Sequence, residues 1–222
     1  MFELLSYLPK LLKGLAVTVE LTFLALVFGG LLALLIVALR GLHIRMLTWT
    51  LNAYSGFMRG TPLIAQLFLI YYGSAQLQPW LQSIGLWRAF SDPMFCAIFT
   101  FSLNTSAYQA EIFRGALSAL AKGQIEAARS FGMTRLQILK AVIFPLASRL
   151  ALRPYSNEVI MMLKGSSVAS VVAVYDLLGS ARAIFASTYD YSVYLAVGVC
   201  YVVFVEAMRR GLKLIETKVF NQ

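Results

Sequence analysis

The chain is organised by long apolar runs separated by short basic stretches. Leu21 to Leu39 carries no charge, and apolar residues extend this run upstream past Glu20 toward Gly14. A bilayer crossing needs about 20 mostly apolar residues, so a first span is expected near 14–39. Gly60 to Trp87 is also uncharged and predicts a second span near 55–78. Within it Thr61-Pro62 reads as a helix start, with Thr as N-cap and Pro in the first turn. Leu81 to Asp92 reads as an outer loop, with Trp80 and Trp87 as interfacial anchors. Pro93 opens a third span near 93–113. A fourth, near 155–178, is interrupted by Glu158 and Lys164, and a fifth falls near 190–210. The pattern predicts an all-α integral membrane protein with about five transmembrane helices, forming a single domain over residues 1–222.

Composition agrees. Apolar residues make up 59% of the 222 residues and charged residues 13%, with a mean hydropathy of +0.74. A soluble domain carries about 25% charged residues. The net charge of +9 would suit nucleic acid only on a basic face of a soluble fold, and here the cations sit between apolar runs. Cys96 and Cys200 form no CxxC pair and argue no disulfide. A single histidine, His43, excludes a histidine metal cluster, and the missing Gly-Lys dipeptide excludes a Walker A loop. Lys10 and Lys13 precede the first run as in a signal peptide, but the run is too long for one and no cleavage site ends it. It reads as a retained span.

Orientation follows from Lys and Arg. With about five spans, one side collects 15 of them and the other 4, namely Lys10, Lys13, Arg88 and Arg182. The positive-inside rule places the N-terminus outside and the C-terminus inside. Lys10 and Lys13 oppose this locally.

The longest basic loop contains a patterned stretch, residues 123–145. Ile125 to Ser130 favours helix, Gly132 suits the left-handed residue that ends one, and Thr134 with Gln137 predicts a capping box for a second helix. Leu136, Leu139, Val142 and Ile143 recur at helical spacing, and Pro145 is expected to close the element. Such a hairpin either docks into a partner's groove or lies on lipid. The residues alone leave both open.

Glu126-Ala127-Ala128, then Gly132, then a hydrophobic run ending in Phe144-Pro145, resembles the EAA loop of ATP-binding-cassette importer permeases. Arg59-Gly60-Thr61-Pro62-Leu63 with Gln66, Leu103-Asn104 with Ala107-Tyr108, and Glu111-Ile112-Phe113-Arg114-Gly115 resemble polar amino acid permeases. Tyr155-Ser156-Asn157-Glu158 followed by Lys164-Gly165-Ser166-Ser167-Val168-Ala169-Ser170 resembles the M-type subunits of histidine, arginine, lysine and opine importers. Gly165-Ser166-Ser167-Val168 departs from the commoner Ser-Thr-Ser-Leu of that branch. The resemblance implies the type I importer permease fold. It implies that Gly123, Glu126, Ala127, Ala128, Gly132 and Pro145 form the coupling element that seats in an ATPase subunit. It also implies a second related permease chain as a heterodimer partner, two ATPase copies that hold ATP and magnesium, an external or lipid-anchored substrate-binding protein, no cofactor on this chain, no nucleic acid partner, and a bacterial inner-membrane, multi-pass location. The implied cargo is a polar, basic amino acid or opine, with glutamine or glutamate as the alternative.

Polar residues inside spans are costly and face a path or a partner. Asn104, Tyr108 and Glu111 share one helix face. That stripe is expected to face the translocation path or another helix, with Glu111 meeting either a cationic substrate or Arg114. Thr61 begins a helix whose free N–H groups suit a carboxylate, or simply caps it. The resemblance adds Glu158, Ser166 and Ser167 to the path; Lys164 is expected to snorkel. Gly29-Gly30 and Met161-Met162 read as packing. A membrane enzyme lacks its constellation here. A secondary transporter lacks the repeat such proteins show.

Overall fold

The computed structural model describes residues 2–120 and 122–220, all in helices and short connections, with no strand among them. Helix α1 (Phe2–Arg40) is followed by α2 (Arg45–Gly60), α3 (Leu63–Gln76), and two short helices, α4 (Gln78–Ser83) and α5 (Trp87–Phe90). Next come α6 (Pro93–Ser118), α7 (Lys122–Ser130), α8 (Arg135–Ile138), a π-helical turn Leu139–Ile143, and α9 (Phe144–Gly165). A 3₁₀ segment, Ser166–Val172, precedes α10 (Leu177–Thr188) and α11 (Ser192–Phe220).

Helix α6 is the centre, with α1, α2, α3 and α9 around it. Its start is set by Asp92, whose carboxylate accepts the Met94 and Phe95 N–H groups, with Pro93 in the first turn. Ala97 and Phe101 of α6 meet Leu21 and Ala25 of α1, Leu67 of α3 and Met162 of α9 in one apolar core. The same helix buries Thr100, Ser102, Thr105 and Ser106. Thr100, Ser102 and Ser106 donate back to carbonyls on their own helix, at 2.7, 2.6 and 2.7 Å. Small hydroxylated side chains satisfied in this way let helices approach closely.

Glycines set the approach of α1. A Cβ on Gly29 would collide with Thr105 Cγ2 and stand 3.0 Å from the Ser102 carbonyl oxygen; one on Gly30 would stand 3.0 Å from Gln109 Oε1. The opposite face of α1 is apolar and uncovered, with Phe23, Phe28, Leu31 and Leu34 exposed, as are Leu195, Val199, Val202 and Val203 of α11. Faces of this kind belong against lipid or another helix. Tyr7–Arg40 and Ser192–Val219 are each long and apolar enough to cross alone, and Arg135–Val172 with Leu177–Thr188 forms a bent pair at 41°.

Several expectations from the sequence change. The run near 55–78 is not one helix: α2 begins upstream at Arg45 and the chain breaks at Thr61-Pro62. Thr61 is not the N-cap of α3. It ends α2, its N–H and hydroxyl both donating to the Phe57 carbonyl, and the N-cap position belongs to Pro62. The run near 155–178 begins earlier, at Phe144, and leaves α-geometry after Gly165, with Ala173 at φ +62°. The stretch read as a loop at 81–92 holds the end of α4 and all of α5. Pro145 does not close the hairpin. It lies in the first turn of α9, and the π turn before it supplies the slack, the Phe144 N–H reaching back to Leu139. An inserted residue of this type lets a proline ring follow a helix without a clash.

Arg40 ties three helices. Its guanidinium donates to Glu111 Oε1 at 2.6 Å on α6, and to the Leu51 carbonyl at 3.2 Å and Ser55 Oγ at 2.8 Å on α2. Arg114 holds the other oxygen of Glu111 at 2.7 Å. Arg40→Ala is expected to lower stability by about 1–3 kcal/mol, read as thermal unfolding in detergent. Arg40→Lys should recover little, since one ammonium cannot reach all three acceptors. Gly29→Val should cost about 1–3 kcal/mol by overpacking in the same assay. Gly56→Val, where a Cβ meets nothing within 4 Å, should leave the melt unchanged.

Candidate translocation path and coupling hairpin

The stretch 123–145 is a helical hairpin joined to a long helix. Helix α7 ends in a Schellman arrangement: Gly132 stands at φ +76°, its N–H donates to Arg129 at 2.9 Å, and the Met133 N–H reaches Ala128 at 3.2 Å. A side chain at Gly132 would meet backbone strain, not a clash, since nothing lies within 4 Å. The second arm starts with a capping box. The Thr134 N–H donates to Gln137 Oε1 at 2.8 Å, and the Gln137 N–H to Thr134 Oγ1 at 3.4 Å. Ala128 and Ile138 are buried, whereas Gly123, Glu126 and Ala127 are exposed and Phe131 at the tip is 87% exposed. The hairpin thus turns an apolar tip and a carboxylate outward.

Its second arm does not end before the membrane helices. Leu139, Ile143 and Phe144 share an apolar recess of about 270 Å³ with Leu34 of α1 and Phe113 and Leu117 of α6. Through the π turn the arm continues into α9. The hairpin is thus continuous with α9 and packed against the ends of α1 and α6.

The polar residues expected inside the spans gather around two interruptions. At the first, Thr61-Pro62, Gln66 Nε2 donates to the Met58 carbonyl at 2.9 Å, the Thr61 carbonyl at 3.2 Å and Thr61 Oγ1 at 2.7 Å. Asn104 Nδ2 donates to the same Met58 carbonyl at 2.9 Å and to Gln66 Oε1 at 3.0 Å. Tyr108, one turn on, lies under the Arg59 guanidinium, 5.6 Å from ring centre to charge. Of the alternatives for the Asn104, Tyr108 and Glu111 stripe, the facing surface is α2 and the break after it. Glu111 is held by Arg40 and Arg114, so its charge is neutralised within the chain.

The second interruption is the end of α9. Glu158, 8% exposed, accepts a hydrogen bond from Thr105 Oγ1 at 2.6 Å. Thr105 in turn accepts from Gln109 Nε2 at 3.2 Å. Ser166 is buried and donates to Leu163 at 2.7 Å; Ser167 donates to Lys164 at 2.8 Å. Lys164 is exposed and borders a recess of about 330 Å³ with Ser167 and Tyr201. The two interruptions are adjacent: Leu63, just past the first, lies 3.5 Å from the position of a Cβ on Gly165 at the second. Transporters build substrate sites from such paired discontinuities, where irregular backbone and buried polar groups coexist.

Sequence reasoning missed Arg40, Thr105 and Gln109. From the sequence, Arg40 is one of the 15 basic residues on the basic-rich side and nothing more. Thr105 and Gln109 stand at i and i+4 in an apolar run, a signal that was there to be found.

The family model for "binding-protein-dependent transport system inner membrane component" matches residues 36–221. The nopaline transport system permease protein NocM of Agrobacterium fabrum is 38% identical over 94% of this chain and 87% of its own. The arginine ABC transporter permease protein ArtM of Escherichia coli K12 is 35% identical over 98% of this chain and 96% of its own. A crystal structure of an amino acid ABC transporter with histidines contains a chain that superposes with a TM-score of 0.86 at 34% identity, covering 98% of this chain and 97% of that one. The chain thus belongs to the family of binding-protein-dependent transport inner membrane components, the permeases of ATP-binding-cassette importers.

Proposed function

We propose that this chain forms half of the path by which a polar, basic amino acid or opine crosses the bacterial inner membrane. The chain crosses about five times, N-terminus outside and C-terminus inside. Its hairpin seats in a separate ATPase subunit, two copies of which bind ATP and magnesium. A second, related permease chain completes the path, and an external binding protein delivers the cargo. This chain binds no cofactor.

The observation that carries this reading is the join between hairpin and α9. A motif shaped to dock, with Glu126 and Phe131 outward, runs on without a loop into the helix that bears Glu158. ATP binding closes the motor, the hairpins move with it, and α9 shifts against α6. That alternates access at Thr61, Asn104, Tyr108, Glu158, Ser166 and Ser167. A basic cargo is supported in two ways. Glu158 is a buried carboxylate without a counter-ion among the described residues, and relatives carry arginine and nopaline by name. Glu111, already paired, serves as a clamp rather than a cargo contact.

The test is ATP hydrolysis by the reconstituted complex with its binding protein. Arginine, histidine, lysine, ornithine or an opine should stimulate it, and glutamine and glutamate should not; the reverse result would remove the basic-cargo assignment. Glu126→Lys and Gly132→Ala should each cut cargo-stimulated hydrolysis by about tenfold or more, roughly 1.4 kcal/mol of coupling, while the permease chains still assemble. Glu158→Gln should lower uptake of a basic amino acid by about tenfold or more and leave basal hydrolysis intact. Undiminished uptake by this variant would take Glu158 out of the path.

A further inference from the structure

At the end of α1 away from the hairpin, α1 and α10 enclose a recess of about 400 Å³. Lys10, Lys13 and Val17 line it from α1; Tyr175, Ser180 and Ala183 line it from the α10 side. Both lysines are exposed, and among the described residues neither forms an ion pair, the pairs there involving only Glu111 and Glu206 as acids. They are two of the four cations on the basic-poor side, and they oppose the orientation locally.

Their depth suggests what they meet. Along a straight helix Lys13 stands ~40 Å from Arg40, close to the full thickness of a bilayer with its headgroups, about 40–45 Å. With Arg40 at one surface, Lys10 and Lys13 lie at the phosphate level of the other. Val17 and the uncovered apolar face of α1 continue inward from them. Among the described residues, Asp176 follows Tyr175 but is buried, its carboxylate accepting the Gly179 N–H at 2.8 Å, while Glu20 and Asp92 border a neighbouring recess that shares Val17 and Tyr175. Glu20 lies ~10 Å further along α1, beyond one screening length of about 8 Å, so it leaves the lysine pair electropositive.

We propose that this recess binds the phosphate of an anionic phospholipid. Lys10 and Lys13 supply the ammonium donors, the Tyr175 and Ser180 hydroxyls border the headgroup, and an acyl chain runs inward along α1. An apolar wall leading into the membrane distinguishes this site from one for a soluble anion. Assignment to the outer leaflet rests on the orientation proposed above. Lipid binding does not, so the two can fail separately.

The test is native mass spectrometry of the full chain in its assembled, detergent-purified complex. The probes are dioleoylphosphatidylglycerol, dioleoylphosphatidylcholine with the same acyl chains, and inorganic phosphate. Phosphatidylglycerol should be retained over phosphatidylcholine. K10Q/K13Q should weaken its retention by about 25-fold, roughly fivefold per lysine. A183W, which fills the recess at an exposed position without changing charge, should weaken it too. K213Q/K218Q, at the far end of α11, should not. If the double variant does not assemble, K10Q and K13Q singly give the same readout at about fivefold each. Equal retention of the two lipids, wild-type retention by K10Q/K13Q and A183W, or displacement of the lipid by equimolar inorganic phosphate would each overturn the proposal.

Discussion

Inside an apolar environment every backbone group that leaves a helix must find a partner within the protein. This chain leaves α-geometry at Thr61-Pro62 and again after Gly165, and α6 is what makes the first departure tolerable. Asn104 of α6 and Gln66 of α3 together cover the Met58 and Thr61 carbonyls that the break sets free. The polar character of α6 follows. A helix of pure Leu and Phe would pack as well against α1 but would leave those carbonyls bare, each at the cost of a lost hydrogen bond. Thr100, Ser102 and Ser106 of α6 bond back to their own helix, and the surface that α6 presents to α1 is small and flat. Gly29 and Gly30 of α1 come close enough to use it.

From that constraint comes a division of labour. The interrupted elements α2–α3 and α9 with its 3₁₀ extension stand side by side through Leu63 and Gly165. The continuous helices α1 and α6 form the frame. On the function proposed above, movement enters through α9, because the hairpin's second arm is continuous with it across the π turn. That turn holds one residue more than an α-helical turn would, and it absorbs Pro145 without a break. On that same reading, a stiff connection from the exposed hairpin to a buried carboxylate suits mechanical coupling. A flexible loop in the same place would dissipate the motion.

Charge is distributed to suit. Glu111 lies between Arg40 and Arg114, so a carboxylate that stands on the same helix face as Asn104 is spent on holding α1, α2 and α6 together at the end nearest the hairpin. Glu158 has no such partner among the described residues and is held by one hydroxyl. Two acids within membrane helices thus differ in role because of what faces them, not because of their own chemistry. Lys10 and Lys13, at the other end, form no ion pair among the described residues.

Much of this was legible in the chain itself. Apolar runs long enough for a helical crossing, together with scarce charge, pointed to a helical membrane protein, since a helix satisfies its own backbone groups in lipid. Gly132, Thr134 and Gln137 specified the hairpin turn residue by residue, because capping and left-handed positions depend on neighbours a few residues away. Asn104, Tyr108 and Glu111 had to share a face because helical period is a local property. What the sequence could not decide was anything involving two distant segments. Whether Glu111 met cargo or arginine depended on Arg40, 71 residues earlier. Whether Thr61 opened α3 or closed α2 depended on Gln66 and on Asn104, 38 residues beyond Gln66. Pro145 is the local exception: the π turn lies immediately before it, but α-helical spacing rules do not place the extra residue. Local rules act within a turn or two of helix; pairing across helices is settled only when packing brings the partners together.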